Sequence, residues 1–266
     1  MRGVCKTEEI LSGTAPAVNS LQRRYLQHAN GLLALPDLDD LNAEAAARGI
    51  HTGGGLPLRF APPDDATDYE NRTYHSGIVA TRPDNWHDAF NALVWLNFPL
   101  SKAALNTSHL GAKSAHSKGN SQRGSARDGL TQFDECGLIV VGTAPELWQM
   151  LCQHQWSTVF VEQRMNLLVS TRFIVFGHGS LDALRAPFVG LCGKAIFIQA
   201  EGSWLAAIDA GDVDLIDAAL ARRIVSTNWQ THAGLQPIPL LGIPGATAEN
   251  ECPAYYLDSR QFRPRR

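Results

Sequence analysis

What most limits the fold of this chain is the alternation of short apolar runs and longer amphipathic stretches that begins near residue 137. Residues 138–141, 172–176 and 195–199 have the length and apolar, β-branched content of buried strands. Between them, 145–168 carries a mostly helical spacing and 181–185 a short helix. Strand, helix, strand, helix, strand predicts a small parallel sheet with right-handed crossovers. A last helix is predicted over 212–224. The tail, with Pro237, Pro239, Pro244 and Pro253, is predicted to be extended and to wrap over the body. The expected class is α/β or α+β: a helix-rich single domain with its sheet in the C-terminal half.

The first half is predicted to be more irregular. Residues 18–30 and 38–48 have helical spacing, 56–60 and 77–81 suit short strands, and a Pro/Asp-rich turn at 62–65 separates those strands. Asp84 is placed to cap a helix running to Asn97, which Pro99 stops, and Ser101 to cap the next, which ends near Leu110. Residues 111–127 hold four basic side chains (Lys113, Lys118, Arg123, Arg127) and no acidic one among glycines and serines, which predicts a mobile loop. Such a loop is either a plain insertion or a lid and contact for a phosphate-bearing partner. The expected organisation is a helical N-terminal extension (1–55), a main domain (56–236) containing that loop, and a Pro-rich tail (237–266) packed on the main domain.

Composition narrows the function classes. With 44% hydrophobic and 18% charged residues, the 266-residue chain has the apolar content to bury a substantial core. A net charge of −3 gives no global attraction to nucleic acid, so binding RNA would require a local basic patch. No apolar run approaches the roughly 18 residues of a membrane span. The first twenty residues lack the apolar core of a signal peptide, so the expected compartment is the cytoplasm. Five cysteines, an odd number without any CxxC, argue against a disulfide framework and a Cys-rich zinc site. Cys136, Cys152 and Cys192 lie in or beside apolar segments, where small buried thiols are common.

Chemistry concentrates between Asp84 and Glu135. Helical spacing aligns His87, Asp88 and Asn91, then Lys102, Asn106 and His109, then Asp128, Thr131 and Glu135. Imidazole, amide and carboxylate on one face suit a metal ligand set or an acid–base pair. Each stripe also has a plainer role: Asp88 in a first turn favours the positive helix end, His109 near a C-terminus favours the negative one, and the acidic stripe suits a surface network with Arg123 and Arg127. A fourth candidate, His178 in Phe176-Gly177-His178-Gly179-Ser180, falls between a strand and a helix, at the carboxyl end of a parallel strand where α/β sites gather. The expected roles are catalysis by His87, Asp88, Asp128 and His178, substrate binding by Asn91, Lys102, Asn106 and Arg127, and metal ligation by His87, His109 and Glu135.

TRPDNWHDAFNALVWLNFP at 81–99, SKAALN at 101–106, the RD..T.FDE spacing from Arg127 to Glu135, FGH at 176–178 and PIPLLGIPG at 237–245 together resemble a bacterial family, the domain of unknown function numbered 3025. The resemblance runs from Leu56 to Arg266. That family has no established activity, so the resemblance implies a shared site at the motif positions and no particular reaction. The 111–127 stretch is longer and richer in Gly and Ser here than the family pattern.

Three functions fit these features. The first is a hydrolase using a divalent metal, zinc or manganese, against a phosphate- or acyl-bearing substrate. The second is a non-catalytic binding protein for a small anionic ligand or RNA. The third is an assembly factor whose polar stripes are buried networks, which predicts no concave pocket.

Overall fold

The computed structural model describes residues 35–64, 68–116, 122–227, 229 and 235–265. The helix expected over 18–30 lies outside them, as does Cys5. The body is α+β. Its centre is a four-stranded sheet of β3 (Gly137–Gly142), β4 (Thr171–Val175), β5 (Cys192–Gln199) and β6 (Gln236–Pro239), in the order β4-β3-β5-β6. Every residue of β3 is buried, as an apolar run flanked by strands on both sides requires.

The sheet is mixed, and the expectation of a parallel sheet is corrected: β3 pairs in parallel with β5 alone, while β4 and β6 run antiparallel to their neighbours. The reason lies in how the chain leaves and re-enters. After β3 it passes through α6 (Pro145–Cys152), a π-helical turn (Thr158–Glu162) and α7 (Arg164–Ser170). It then returns to the end it left, where the Thr143 N–H donates to the Ser170 carbonyl at 2.9 Å, so β4 must run back along β3. Strand β6 contains Pro237 and Pro239, which lack the N–H an interior strand needs, and it sits at the sheet's edge.

In the first half, α1 (Leu38–Ala47) forms where helical spacing placed it, capped by Asp37. The short strands β1 (Arg59–Ala61) and β2 (Ile78–Ala80) pair in parallel, and the link between them is α2 (Tyr69–Ser76) as well as a turn. This helix has almost no apolar period, with Thr73 its one buried residue. Its ends carry the signal: the Asp68 carboxylate accepts from Asn71 N–H, and Gly77 closes the helix at a φ of 73° that favours glycine.

Helix α3 (Trp86–Asn97) buries every residue from Ala89 on. Its cap is Asn85, whose side chain accepts from Asp88 N–H; Asp84 adopts a positive φ of 57° one residue earlier. Helix α4 (Pro99–His116) begins before Ser101, so Ser101 is not its cap. Instead Asp217 of α10 (Asp214–Ser226) reaches across and accepts the N–H groups of Leu100 and Ser101 at 2.9 and 2.8 Å, while Ser101 Oγ donates to the Asp217 carbonyl. A buried carboxylate from another helix thus satisfies two donors that α4 cannot satisfy itself.

Helix α4 continues to His116 and α5 (Gln122–Cys136) starts at Gln122, so residues 111–116 and 122–127 are helical where a loop was expected; 117–121 lie outside the described residues. Helix α8 (His178–Ala183) follows β4, α9 (Gly202–Asp209) follows β5, and α10 lies along α4. The tail is extended only at β6. Beyond it come 3-10 turns that bury Tyr256 and Phe262, with Trp156 Nε1 donating to the Arg263 carbonyl at 2.8 Å. None of the described cysteines forms a disulfide, and no helix among the described residues is long and apolar enough to cross a membrane.

Replacing Asp217 with alanine strands two helix-end donors, that of Ser101 fully buried, and we expect a loss of about 2–4 kcal/mol. Urea unfolding measures it; an unchanged midpoint would show that water replaces the carboxylate at no cost.

Candidate functional site

Strand pairing puts the two most reactive positions opposite each other. Leu138 pairs with Val175 in the antiparallel β3–β4 ladder, and continuing that register by three residues sets Glu135, at the end of α5, against His178, at the start of α8. The chains stay close here because both Phe176 and Gly177 donate N–H to the Gly137 carbonyl. Gly177 is required by that approach, since a Cβ there would strike the backbone of Glu135, Cys136 and Gly137, while one on Gly179 would displace the Glu135 carboxylate. Helix α3 packs against α8 and brings His87 to the same point.

The result is a compact donor set. Glu135 Oε1 lies 3.4 Å from His178 Nε2 and 3.8 Å from His87 Nε2, and one ligand atom from each of the three residues falls within 4.8 Å of the others. The two imidazoles meet edge to face with centroids 4.6 Å apart. His178 is buried, while His87 and Glu135 are partly exposed to a cleft of about 440 Å³. His178 Nδ1 is buried without a hydrogen-bond partner among the described residues, while Nε2 faces the Glu135 carboxylate, whose hydrogen bond from His178 holds it below the usual carboxylate range.

Behind this set lies a buried ion pair. Lys102 Nζ of α4 contacts Asp134 Oδ1 of α5 at 2.5 Å, with the Trp95 ring 5.5 Å away. Burial pushes both groups towards their neutral forms, yet their mutual attraction prevails: Asp134 is held below the usual carboxylate range and Lys102 above its own.

The opposite wall comes from α2 and α4. Glu70 Oε2 accepts from Asn106 Nδ2 at 2.6 Å, and Glu70 Oε1 lies 3.7 Å from His109 Nε2. Burial is the main influence on both residues, pushing the Glu70 carboxyl up to about 7 and the His109 imidazole down to about 4. Near neutral pH the histidine is therefore uncharged and the carboxyl about half protonated, so this contact is not a standing ion pair. Beside it, Tyr69 Oη accepts from Asn91 Nδ2 at 2.9 Å and from Trp95 Nε1 at 3.2 Å.

Of the residues expected to form the site, His87, Asp88, Asn91, His109, Arg127, Glu135 and His178 line the cleft. Lys102 and Asn106 are buried behind it, holding Asp134 and Glu70 rather than presenting ends to a ligand. Asp128, expected to be catalytic, is exposed and lies outside the lining. His109 does not lie with His87 and Glu135; the residue grouped with them is His178. Its strand is antiparallel to its neighbour, so the parallel-strand argument for His178 is corrected although the position holds. Asp88 is occupied by a two-pronged contact to Arg82 at 2.8 and 2.9 Å; partial burial raises its carboxyl, but the Arg82 hydrogen bonds outweigh this and hold it low.

Residues 58–266 match the family described as "Protein of unknown function (DUF3025)". The chain belongs to that family. The match takes in every motif segment named above and all the residues of the cleft. No curated protein and no solved structure matches the chain. Sequence reasoning missed Tyr69 and Glu70, because α2 has no apolar period to announce it; the bracket of Asp68 and Gly77 was the available signal.

The raised Glu70 value has a consequence for stability. Between its ordinary 4.5 and about 7, the folded chain holds a proton that the unfolded chain has released, so Glu70's contribution falls as pH rises through this window and is flat above it. Glu70→Gln removes that slope. From pH 5 to pH 8 the wild type is expected to lose roughly 3 kcal/mol relative to the variant. Urea unfolding at the two pH values tests this, and an equal difference at both would refute it.

Proposed function

We propose that this protein is a metal-dependent hydrolase, with His87, His178 and Glu135 holding zinc or manganese. The observation that carries the proposal is the meeting of two imidazole nitrogens and one carboxylate oxygen at the edge of an open cleft. Ligand atoms about 2.1 Å from an ion and tetrahedrally disposed stand about 3.4 Å apart, close to the separations of 3.4 and 3.8 Å between Glu135 and the two histidines. Imidazole favours zinc and related ions over calcium.

A metal held there would supply an acidified water and a positive charge for a substrate oxygen, and three protein ligands leave a position open for them. The chain's own residues do the rest. Lys102 neutralises Asp134 and fixes the end of α5, so Glu135 keeps its place. Glu70, whose carboxyl is raised to about 7 by burial, carries a proton at the opposite wall and can pass it to a leaving group. His109, kept neutral, adds no competing positive charge there. Arg127 lines the mouth without an ion-pair partner among the described residues, which suits an anionic substrate. The cleft volume favours a small molecule over RNA, and a concave site is what an assembly factor would lack.

Elemental analysis of untagged protein purified without chelators is expected to show near-stoichiometric zinc or manganese, with His87→Ala losing it and His109→Gln retaining it. Substoichiometric metal, with no rise in the thermal midpoint when either ion is added, would favour the alternative of a non-catalytic anion-binding protein.

A further inference from the structure

The hydrogen-bond accounting of Tyr69 points to the substrate. A phenol has one proton to donate and an oxygen that accepts two hydrogen bonds. Both accepting positions are filled, by Asn91 Nδ2 and Trp95 Nε1, each on the buried helix α3. The hydroxyl proton has no acceptor among the described residues. Trp95 carries no acceptor and its ring is packed in the core, while the Asn91 amide is placed with its nitrogen on the phenol and its Oδ1 buried without a partner among the described residues. Tyr69 is one of the residues that line the cleft. Two accepted hydrogen bonds also make it a stronger donor. Burial, the largest influence on it, keeps the phenol protonated.

The cleft holds further donors. Glu70, the next residue, is a second potential donor when protonated, and Arg127 offers a guanidinium across the cleft. A single acyl oxygen would leave most of these unused, whereas a tetrahedral anion with several oxygens uses them together. We propose that Tyr69 donates its hydroxyl hydrogen to a phosphoryl oxygen of the substrate, so that the cleft takes a small phosphorylated molecule. This rests on the hydrolase reading for its chemistry, but the binding it asserts does not need the metal. Tyr69 acts as a substrate-binding residue, and no bond is made or broken at its oxygen.

Inorganic phosphate is the probe, with acetate for the acyl alternative, each titrated into metal-free and zinc-loaded protein. Because Trp95 Nε1–H bonds directly to the Tyr69 oxygen, its indole NMR resonance in the unmutated protein reports on that hydroxyl. Phosphate is expected to shift this resonance and acetate to leave it in place. Tyr69→Phe is expected to weaken phosphate about tenfold while leaving zinc affinity unchanged. Phosphate that binds equally well to the variant, or that binds the wild type without moving the indole resonance, overturns the role of Tyr69. Acetate acting in place of phosphate overturns the phosphoryl assignment. Zinc binding without phosphate binding sinks this inference and leaves the metal site standing. Tyr69-dependent phosphate binding in a protein that holds no zinc does the reverse. If the variant fails to fold, the indole response of the wild type decides.

Discussion

The contact between Lys102 and Asp134 is the constraint on which the rest of the site depends. Both side chains are buried, and an ion removed from water is tolerated only beside its counter-charge. Losing either partner would leave the other uncompensated, typically a cost of about 3–5 kcal/mol. The pair therefore locks α4 to α5, and Trp95 ties it to α3. Because Asp134 must point inward, the adjacent Glu135 lies about 100° further round the helix and faces the cleft. The most expensive interaction in the interior thus aims the carboxylate that gathers the two histidines.

The cleft has two walls with different electrostatic characters. Along the β3–β4 edge, two histidines and a carboxylate offer lone pairs to a cation. On the α2 side, burial leaves Glu70 largely protonated below about pH 7, and the Tyr69 oxygen accepts from both Asn91 and Trp95. Lone pairs on one side and protons on the other make a surface polarised across its width.

Much of this was legible in the chain itself. The apolar runs at 138–141, 172–176 and 195–199 become strands of the central sheet, and α1, α3 and α10 form close to where helical spacing put them. His87, Asn91, His109 and Glu135 were identifiable because a polar side chain repeated at helical intervals on an otherwise apolar element is costly unless it is used. Strand direction was not legible, since local pattern fixes which segments are extended but not the end at which the chain re-enters the sheet. Nor was α2, whose polar sequence gives no period to detect.

Sequence by itself determined much of the composition of the site: most of the helical and extended segments, and the imidazoles and carboxylates of α3, α4, α5 and α8. Tertiary structure decided how they are grouped. His178 rather than His109 joins His87 and Glu135, because the antiparallel β3–β4 register sets residues 43 positions apart directly opposite each other. Lys102 and Asn106 became supports rather than contacts because α4 is covered by α2, α5 and α10. Asp217 replaced Ser101 as the cap of α4 from more than a hundred residues away. Local propensity acts over a few residues, whereas burial, charge pairing and strand register act between segments that meet only in the folded chain. Those longer-range terms turned a set of polar residues into a cleft with two chemically distinct walls.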